Sequence, residues 1–202
     1  MKEFIKICGL RDTDMVEVAL AHGADAIGLV FARSVRSIPV PDARVLVDVI
    51  RPAAKVVAVM RHPAQQFAVE VLDRVQTAIF QTDVEDFANL PLPGSVQRLP
   101  VYRDTAQFTI EDLPRTLLFE GGDSGTGETA DWDRAAEIAK ARNLVLAGGL
   151  SAENVHDAIL AVRPAGIDVS SGVEVHRGHK DAGAIRAFIE AARTAFETIS
   201  SE

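Results

Sequence analysis

The only cysteine of the chain, Cys8, stands at the end of the first apolar run, in the segment Phe-Ile-Lys-Ile-Cys-Gly-Leu-Arg over residues 4–11. A thiol becomes a useful base or nucleophile when nearby positive charge or a helix N-terminus lowers its pKa. Lys6 and Arg11 are close in sequence, but Lys6 shares the strand face of Cys8 only if the strand is regular. A lone buried cysteine is more often a small apolar filler, so these residues alone leave both interpretations open.

Two later segments combine small residues in a way that suits phosphate binding. They are Leu-Ala-Gly-Gly-Leu over residues 146–150 and Asp-Val-Ser-Ser-Gly-Val-Glu over residues 168–174. Glycine lets a backbone approach a ligand closely, and consecutive N–H groups at a turn or helix start bind phosphate without a cation. Glycines after a strand are also common in tight turns. Either segment alone therefore leaves a phosphate site and a simple turn open.

Short apolar runs rich in β-branched residues alternate with longer amphipathic stretches along the chain. The predicted strands cover residues 4–8, 24–31, 55–60, 76–81, 95–102, 115–120, 143–147 and 166–169. The predicted helices cover residues 13–22, 41–50, 64–73, a short 84–90, a weak 105–113, 131–142, 153–162 and 181–199. Asp12 or Thr13 is expected to cap the first helix. Strands that alternate with helices pair in parallel, because parallel neighbours need a crossover connection.

Eight such units predict an α/β protein with a single (β/α)₈ barrel domain over residues 1–202. An open doubly wound sheet is less consistent with the sequence, because no glycine-rich dinucleotide fingerprint follows the first strand. Chemistry in such barrels takes place at the C-terminal ends of the strands, where Cys8 stands. The two small-residue segments follow the seventh and eighth strands, where barrels often bind phosphate. Their occurrence in consecutive units favours a phosphate site over two unrelated turns.

Composition excludes several other classes of protein. About half of the residues are apolar and the net charge is −8, which is typical of a globular protein and argues against a general nucleic-acid surface. No apolar run reaches membrane-spanning length and no secretory signal opens the chain, so we expect a cytoplasmic protein that does not bind membranes. A single cysteine cannot form an internal disulfide, and the five histidines show no metal-ligand spacing.

Five groups of residues together resemble the phosphoribosylanthranilate isomerase family of tryptophan biosynthesis, in register from end to end. They are residues 5–11, residues 23–31 with 34–38, residues 147–150 with Asn154, residues 168–174 and residues 178–181. The resemblance implies a barrel without cofactor or metal. It also implies an Amadori rearrangement, in which N-(5-phosphoribosyl)anthranilate becomes 1-(2-carboxyphenylamino)-1-deoxyribulose 5-phosphate. The sequence leaves open whether the barrel is a monomer or a homodimer.

An Amadori rearrangement needs two groups that handle protons. An acid protonates the ring oxygen so that the furanose opens to an imine, and a base takes the C2 proton to give an enolamine. The resemblance implies that Cys8 is the base, that Arg36 lies near the anthranilate carboxylate and that Asp168 lines the substrate pocket. The phosphate-binding residues that it implies are Gly148, Gly149, Ser170, Ser171 and Gly172.

The position of the general acid departs from the family pattern. In the family, an aspartate follows two leucines at the end of the sixth strand, whereas here Leu117 and Leu118 precede Phe119 and Glu120. Counted from the leucines, Phe119 occupies the place of the acid. Glu120 is the first candidate and would enter the pocket only if the strand ends or bulges there. Asp123 is the second candidate, and the alternative is that both are solvated loop carboxylates.

A second departure lies at the end of the fourth strand, where the family usually shows Gln-Leu-His-Gly and residues 80–83 are Phe-Gln-Thr-Asp. Two hypotheses follow from these observations. The first is a working isomerase, which the presence of both Cys8 and Arg36 favours. The second is a divergent paralogue that binds or acts on another phosphorylated sugar derivative, which Phe119 favours.

Overall fold

Eight parallel strands close into a barrel in the computed structural model, which describes residues 3–51, 53–122 and 129–201. The strands are β1 (Phe4–Cys8), β2 (Ala26–Val30), β3 (Lys55–Val59), β4 (Ile79–Asp83), β5 (Gln97–Arg103), β6 (Thr116–Glu120), β7 (Asn143–Leu146) and β8 (Gly166–Val169). Each strand pairs with the next along the chain, and β8 closes the barrel on β1 with Gly166 opposite Phe4. The predicted (β/α)₈ barrel is confirmed.

Helices cover the outside of the barrel. They are α1 (Thr13–Ala21), α2 (Val40–Ile50), α3 (Gln65–Val75), α4 (Trp132–Ala141), α5 (Val155–Val162) and α6 (Ala182–Ser200), with a 3₁₀ helix over Val84–Asn89. Asp12 caps α1 by accepting a hydrogen bond from the backbone N–H of Met15 at 2.9 Å. A two-stranded hairpin, β9 (Glu174–His176) and β10 (His179–Lys180), follows β8. Among the described residues, the helices are too short or too polar to cross a membrane.

The weak helix predicted over residues 105–113 is wrong, because this segment forms turns. The Thr109 hydroxyl donates to the Asp112 carboxylate at 2.6 Å, a local bond that favours a turn over a helix. Arg142, which follows α4, donates from its guanidinium to the backbone carbonyls of Ile110 and Leu113 at 2.8 and 2.9 Å. These carbonyls are satisfied by an arginine side chain, so no helix is needed to satisfy them.

Alternate residues of the strands belong to two separate apolar layers. One layer lies inside the barrel and the other lies between the strands and the helices. Leu118 belongs to the inner layer, whereas Leu117 and Phe119 belong to the outer one. The strand is regular at this point, with Leu118 opposite Val101 and Glu120 opposite Arg103. Glu120 therefore follows Leu118 into the barrel interior without any bulge.

This arrangement corrects the sequence-based placement of Phe119. The ring is fully buried outside the barrel, in an edge-to-face contact with Phe108 at a centroid distance of 6.4 Å. The position that the leucine count assigned to the acid therefore faces the helices. Glu120 is the last residue of β6 and enters the pocket by regular alternation, so no bulge is needed.

Removal of the Phe119 ring tests its assignment to the outer core. We expect Phe119→Ala to lower the free energy of unfolding by about 3–5 kcal/mol, because it leaves a cavity in a closed apolar layer. Urea unfolding measures this change. Phe67→Ala is the matched control, since that ring is 38% exposed on α3 and its removal should cost less than half as much. Equal costs for the two variants would contradict the assignment.

Candidate active site

A cavity of about 230 Å³ opens at the C-terminal ends of the barrel strands. Residues that the sequence marked for function line it together: Cys8, Arg36, Glu120, Asp168 and Ser170. Further lining side chains, which belong to strand-end segments but to which the sequence assigned no role, include Arg33, Arg61, Gln81, Asp83, Arg103 and Arg177. Most of these strand-end residues continue the inward-facing rows of the strands. Side chains alternate between the inside and the outside of the barrel along each strand. The same alternation that places the inner-core side chains therefore places these residues in the pocket.

Cys8 and Lys6 lie side by side on the inner face of β1. The Lys6 side chain is fully buried, and its Nζ lies 2.7 Å from Oδ2 of Asp168 on β8. Gly28 on β2 pairs with Cys8, and a Cβ at this glycine would lie 2.8 Å from the Cys8 sulfur and 3.1 Å from Lys6 Cε. The sulfur and Lys6 Cε are therefore at most about 6 Å apart. Because β1 is a regular strand, Lys6 and Cys8 share its inner face, and the Lys6 ammonium is close enough to act on the thiol.

The charges around Cys8 oppose one another. Burial raises the pKa of the thiol and the Asp168 carboxylate adds to this effect, whereas Lys6 and Lys180 lower it. The balance leaves the pKa of Cys8 raised. Burial would lower the pKa of Lys6, but Asp168 and Cys8 outweigh burial and raise it, so Lys6 carries a charge. The resting site therefore holds a thiol beside a fixed cation that stabilises the thiolate once it forms.

Arg36 is almost completely buried in the loop after β2. Its Nε and Nη2 donate to the two carboxylate oxygens of Glu174, at 2.6 and 2.9 Å. Burial would raise the pKa of Glu174, but hydrogen bonds from Arg36 and the Gly178 N–H, together with Lys180, lower it to about 2. Sequence reasoning assigned no role to Glu174 or Lys180, although both lie in segments that carry the family resemblance.

Glu120 faces the cavity from β6 as part of a chain of charges. Arg103, at the end of β5, places Nη2 3.1 Å from a Glu120 oxygen and Nη1 2.5 Å from Asp83 at the end of β4. Burial alone would lower the pKa of Arg103. Asp83 and Glu120 outweigh burial, and the pKa of Arg103 is raised above its ordinary value. Asp83, part of the second departure from the family, therefore shares the cation that neutralises Glu120. Asp123, the other candidate acid, lies outside the described residues.

His62 bridges two carboxylates beside the cavity. Its Nδ1 lies 3.0 Å from Asp86 Oδ1 and its Nε2 lies 3.3 Å from Asp83 Oδ2. The hydrogen bond to Asp86 raises the pKa of His62. These three residues could hold a metal ion by distance alone. Arg61 and Arg103 already supply positive charge at Asp83, so the geometry fits a protonated imidazole better than a metal.

The two small-residue segments meet beside this pocket. Ser151 and Gly172 form a parallel bridge between the loops that follow β7 and β8. Gly149 has φ +62°, and a Cβ there would lie 2.6 Å from Thr129 Oγ1, so a side chain would clash. The Asn154 carboxamide fixes the turn by donating to the Gly149 carbonyl and accepting from the Ser151 N–H, both at 2.8 Å. The structure brings together the loops that contain the predicted phosphate residues: Gly148, Gly149, Ser170, Ser171 and Gly172.

The second of these loops is tied directly to the cysteine. The Ser170 hydroxyl donates to the Cys8 backbone carbonyl at 3.1 Å. The ends of β1 and β8, which are neighbours in the barrel, thus connect the candidate base to the candidate phosphate site.

Residues 5–191 match the family described as N-(5'-phosphoribosyl)anthranilate (PRA) isomerase. The chain belongs to this family. The PRA isomerase of Roseiflexus castenholzii is 41% identical to it, over 95% of this chain and 98% of that protein. The enzyme of Listeria monocytogenes is 34% identical, over 94% and 98% of the two chains.

Solved structures of PRA isomerases have the same fold. The Thermotoga maritima structure matches with a TM-score of 0.83 and 30% identity, over 96% of this chain and all of that one. A PRA isomerase in complex with reduced 1-(o-carboxyphenylamino)-1-deoxyribulose 5-phosphate matches with a TM-score of 0.78 and 29% identity, over 96% of this chain and all of that one.

The effect of Lys6 on the thiol can be measured directly, because Cys8 is the only cysteine. We expect Lys6→Met to move the midpoint of the pH dependence of iodoacetamide alkylation to higher pH, since the cation that stabilises the thiolate is removed. Lys140→Met, on an exposed lysine of α4, should leave the midpoint unchanged.

Lys6→Met also leaves the buried Asp168 carboxylate without its cation, which threatens folding. The double variant Lys6→Met/Asp168→Asn removes both charges and should still alkylate at higher pH than the wild type. A midpoint equal to that of the wild type in the folded variants would contradict the role of Lys6.

Proposed function

We propose that this PRA isomerase family member catalyses the Amadori rearrangement of N-(5-phosphoribosyl)anthranilate with Cys8 as general base and Glu120 as general acid. The observation that carries the proposal is that a thiol from β1 and a carboxylate from β6 line one cavity. The two groups come from strands three positions apart around an eight-stranded barrel, which suits proton transfers on two sides of a bound sugar.

The reaction begins when Glu120 donates a proton to the ring oxygen of the furanose. The bond between C1 and the ring oxygen breaks, and the nitrogen lone pair forms the C1–N imine. Arg103 stabilises the Glu120 carboxylate that this transfer leaves behind. Arg103 also binds Asp83, so one guanidinium contacts both carboxylates.

Cys8 acts in the second step. The thiol first loses its proton to solvent. The resulting thiolate takes the proton from C2, and the electron pair of that C–H bond moves to form the enolamine while the imine nitrogen is neutralised. The enolamine becomes the ketone when C1 gains a proton and the C2 hydroxyl loses one. Lys6 stabilises the thiolate that performs the abstraction, which is why a thiol with a raised pKa can serve as a base here.

The remaining residues bind the two ends of the substrate. Arg36 faces the anthranilate carboxylate, and the loops after β7 and β8 bind the phosphate through their backbone N–H groups. Asp168 lines the pocket beside Lys6, and its Oδ1, which has no hydrogen-bond partner among the described residues, would accept a hydrogen bond from the sugar. The ligand in the solved complex of a related isomerase carries the same carboxylate and phosphate groups.

Three expectations from the sequence stay predictions for this chain: a reaction without cofactor, a cytoplasmic location, and a monomer or homodimer. The Thermotoga maritima enzyme is dimeric and has also been solved as monomers.

Turnover of freshly prepared phosphoribosylanthranilate, followed by the loss of its anthranilate fluorescence, tests the proposal. We expect Cys8→Ser and Glu120→Gln each to lower kcat by about 10²-fold or more, because each removes a proton-transfer group. Asp123→Asn should retain most of the activity.

The outcomes distinguish the two hypotheses. An absence of turnover above the non-enzymatic rate would exclude the isomerase and leave a paralogue that binds or acts on another phosphorylated sugar derivative. A larger loss in Asp123→Asn than in Glu120→Gln would assign the acid to Asp123. Equal activity of these two variants would mean that neither is the acid.

A further inference from the structure

Glu174, at the start of the hairpin after β8, has a buried carboxylate surrounded by donors. Its side chain is only 3% exposed. One oxygen accepts from Arg36 Nε at 2.6 Å and lies 3.0 Å from Lys180 Nζ. The other accepts from Arg36 Nη2 at 2.9 Å and from the Gly178 N–H at 3.0 Å. Four donors on one carboxylate hold it in a single orientation.

The bidentate pair fixes the plane of the Arg36 guanidinium. Among the described residues, Arg36 Nη1 has no hydrogen-bond partner, and Arg36 lines the cavity. The rest of the side chain is also fixed, because it packs against Gly9, where a Cβ would lie 2.9 Å from Arg36 Cδ. A planar donor held along its whole length presents its remaining N–H groups in one direction.

The charges of this cluster do not cancel. Arg36 and Lys180 are two cations that share the single Glu174 carboxylate, so the cluster has an excess positive charge at the cavity wall. Lys6 and Asp168 behind it form a neutral pair, while Arg33 and Arg177 line the same cavity. An anionic group of the ligand would therefore be attracted to this wall.

Lys180 connects the cluster to the catalytic side of the pocket. Its Nζ donates to the Ser170 carbonyl at 2.8 Å, and the Ser170 hydroxyl donates to the Cys8 carbonyl at 3.1 Å. Arg11 binds the other end of the hairpin by donating to the Gly178 carbonyl at 2.8 Å. The orientation of Arg36 is thus set relative to the loop that the substrate phosphate would contact.

We propose that Glu174 is a specificity-determining positioning residue, which holds Arg36 so that the enzyme selects ligands that carry a carboxylate on the aromatic ring. The inference rests on the proposed function for the identity of the ligand. Glu174 acts through Arg36 and does not contact the substrate. Without Glu174, the guanidinium keeps its charge but loses its fixed plane, so the paired bonds to a ligand carboxylate weaken.

Binding of two stable ligands, measured by calorimetry, tests the inference independently of catalysis. The first is reduced 1-(o-carboxyphenylamino)-1-deoxyribulose 5-phosphate, and the second is its phenylamino counterpart without the carboxylate. We expect Glu174→Gln to weaken binding of the first by about 10-fold or more, since a fixed charge-assisted pair is lost. Binding of the second should change by less than about twofold. Glu190→Gln, on the exposed face of α6, is the matched control and should leave both affinities unchanged.

A double-mutant cycle with Arg36→Lys identifies the route of the effect. Arg36→Lys should reduce the preference for the carboxylate ligand, and adding Glu174→Gln should then have little further effect on that preference. Glu174→Asp, which keeps the charge but shortens the side chain, should give an intermediate loss and provides a second variant if Glu174→Gln does not fold.

Two results would overturn the inference. One is an equal loss of affinity for both ligands in a folded Glu174 variant, which would indicate a purely structural role. The other is an undiminished effect of Glu174→Gln in the Arg36→Lys background, which would mean that Glu174 acts independently of Arg36. If the chain lacked isomerase activity but bound both ligands as predicted, the proposed reaction would fail while the role of Glu174 would stand.

Discussion

The ion pair between Lys6 and Asp168 is the interaction on which the site depends. It joins the first and last strands inside the closed barrel, where Lys6 is fully buried and the two charged atoms lie 2.7 Å apart. Burying two charges costs several kcal/mol per ion before their attraction is counted, and apolar residues would fill the same space without that cost. Stability alone is therefore a weak explanation for the pair, whereas the proposed reaction uses the cation that it holds beside Cys8.

A second set of charges faces this pair across the cavity. Asp83, Arg103 and Glu120 end three neighbouring strands, and Arg103 binds both carboxylates. One side of the pocket thus pairs a thiol with a cation, and the other pairs the Glu120 carboxylate with a cation that also binds a second carboxylate. In the proposed reaction, each of the two groups has a cation beside its ionised form: Lys6 beside the thiolate before it takes a proton, and Arg103 beside the carboxylate after it has given one. The barrel supplies this arrangement by carrying both sets on rigid strand ends.

The loops after β2 and β8 form the third part of the site. The hairpin residues Glu174 and Lys180 hold Arg36 and Ser170, so the proposed carboxylate site and the predicted phosphate loop share one network of contacts. This network rests on the turn at Gly178, whose N–H and carbonyl bind Glu174 and Arg11. The short hairpin after the last barrel strand therefore positions residues that lie far apart in the chain.

The sequence by itself determined the eight strands and most of the helices between them, the placement of Cys8 at the end of β1 and the position of the two small-residue segments. These features follow from local periodicity, turn residues and strand order, which are all readable along the chain. The sequence could not tell which of Leu117 and Leu118 faces inward. A strand that is buried on both faces carries apolar residues at every position. Its composition therefore does not indicate which side chains face the barrel interior.

Only the tertiary structure decided which residues of β6 face the barrel interior. Leu118 pairs with Val101 and Val145 and belongs with them to the inner layer. That pairing turns Phe119 outward and Glu120 inward. The partners of Glu174 were also beyond sequence reasoning, since Arg36 lies 138 residues away along the chain. Contacts of this kind arise from barrel closure, which brings the first and last strands together, and no local pattern records which distant side chains will meet.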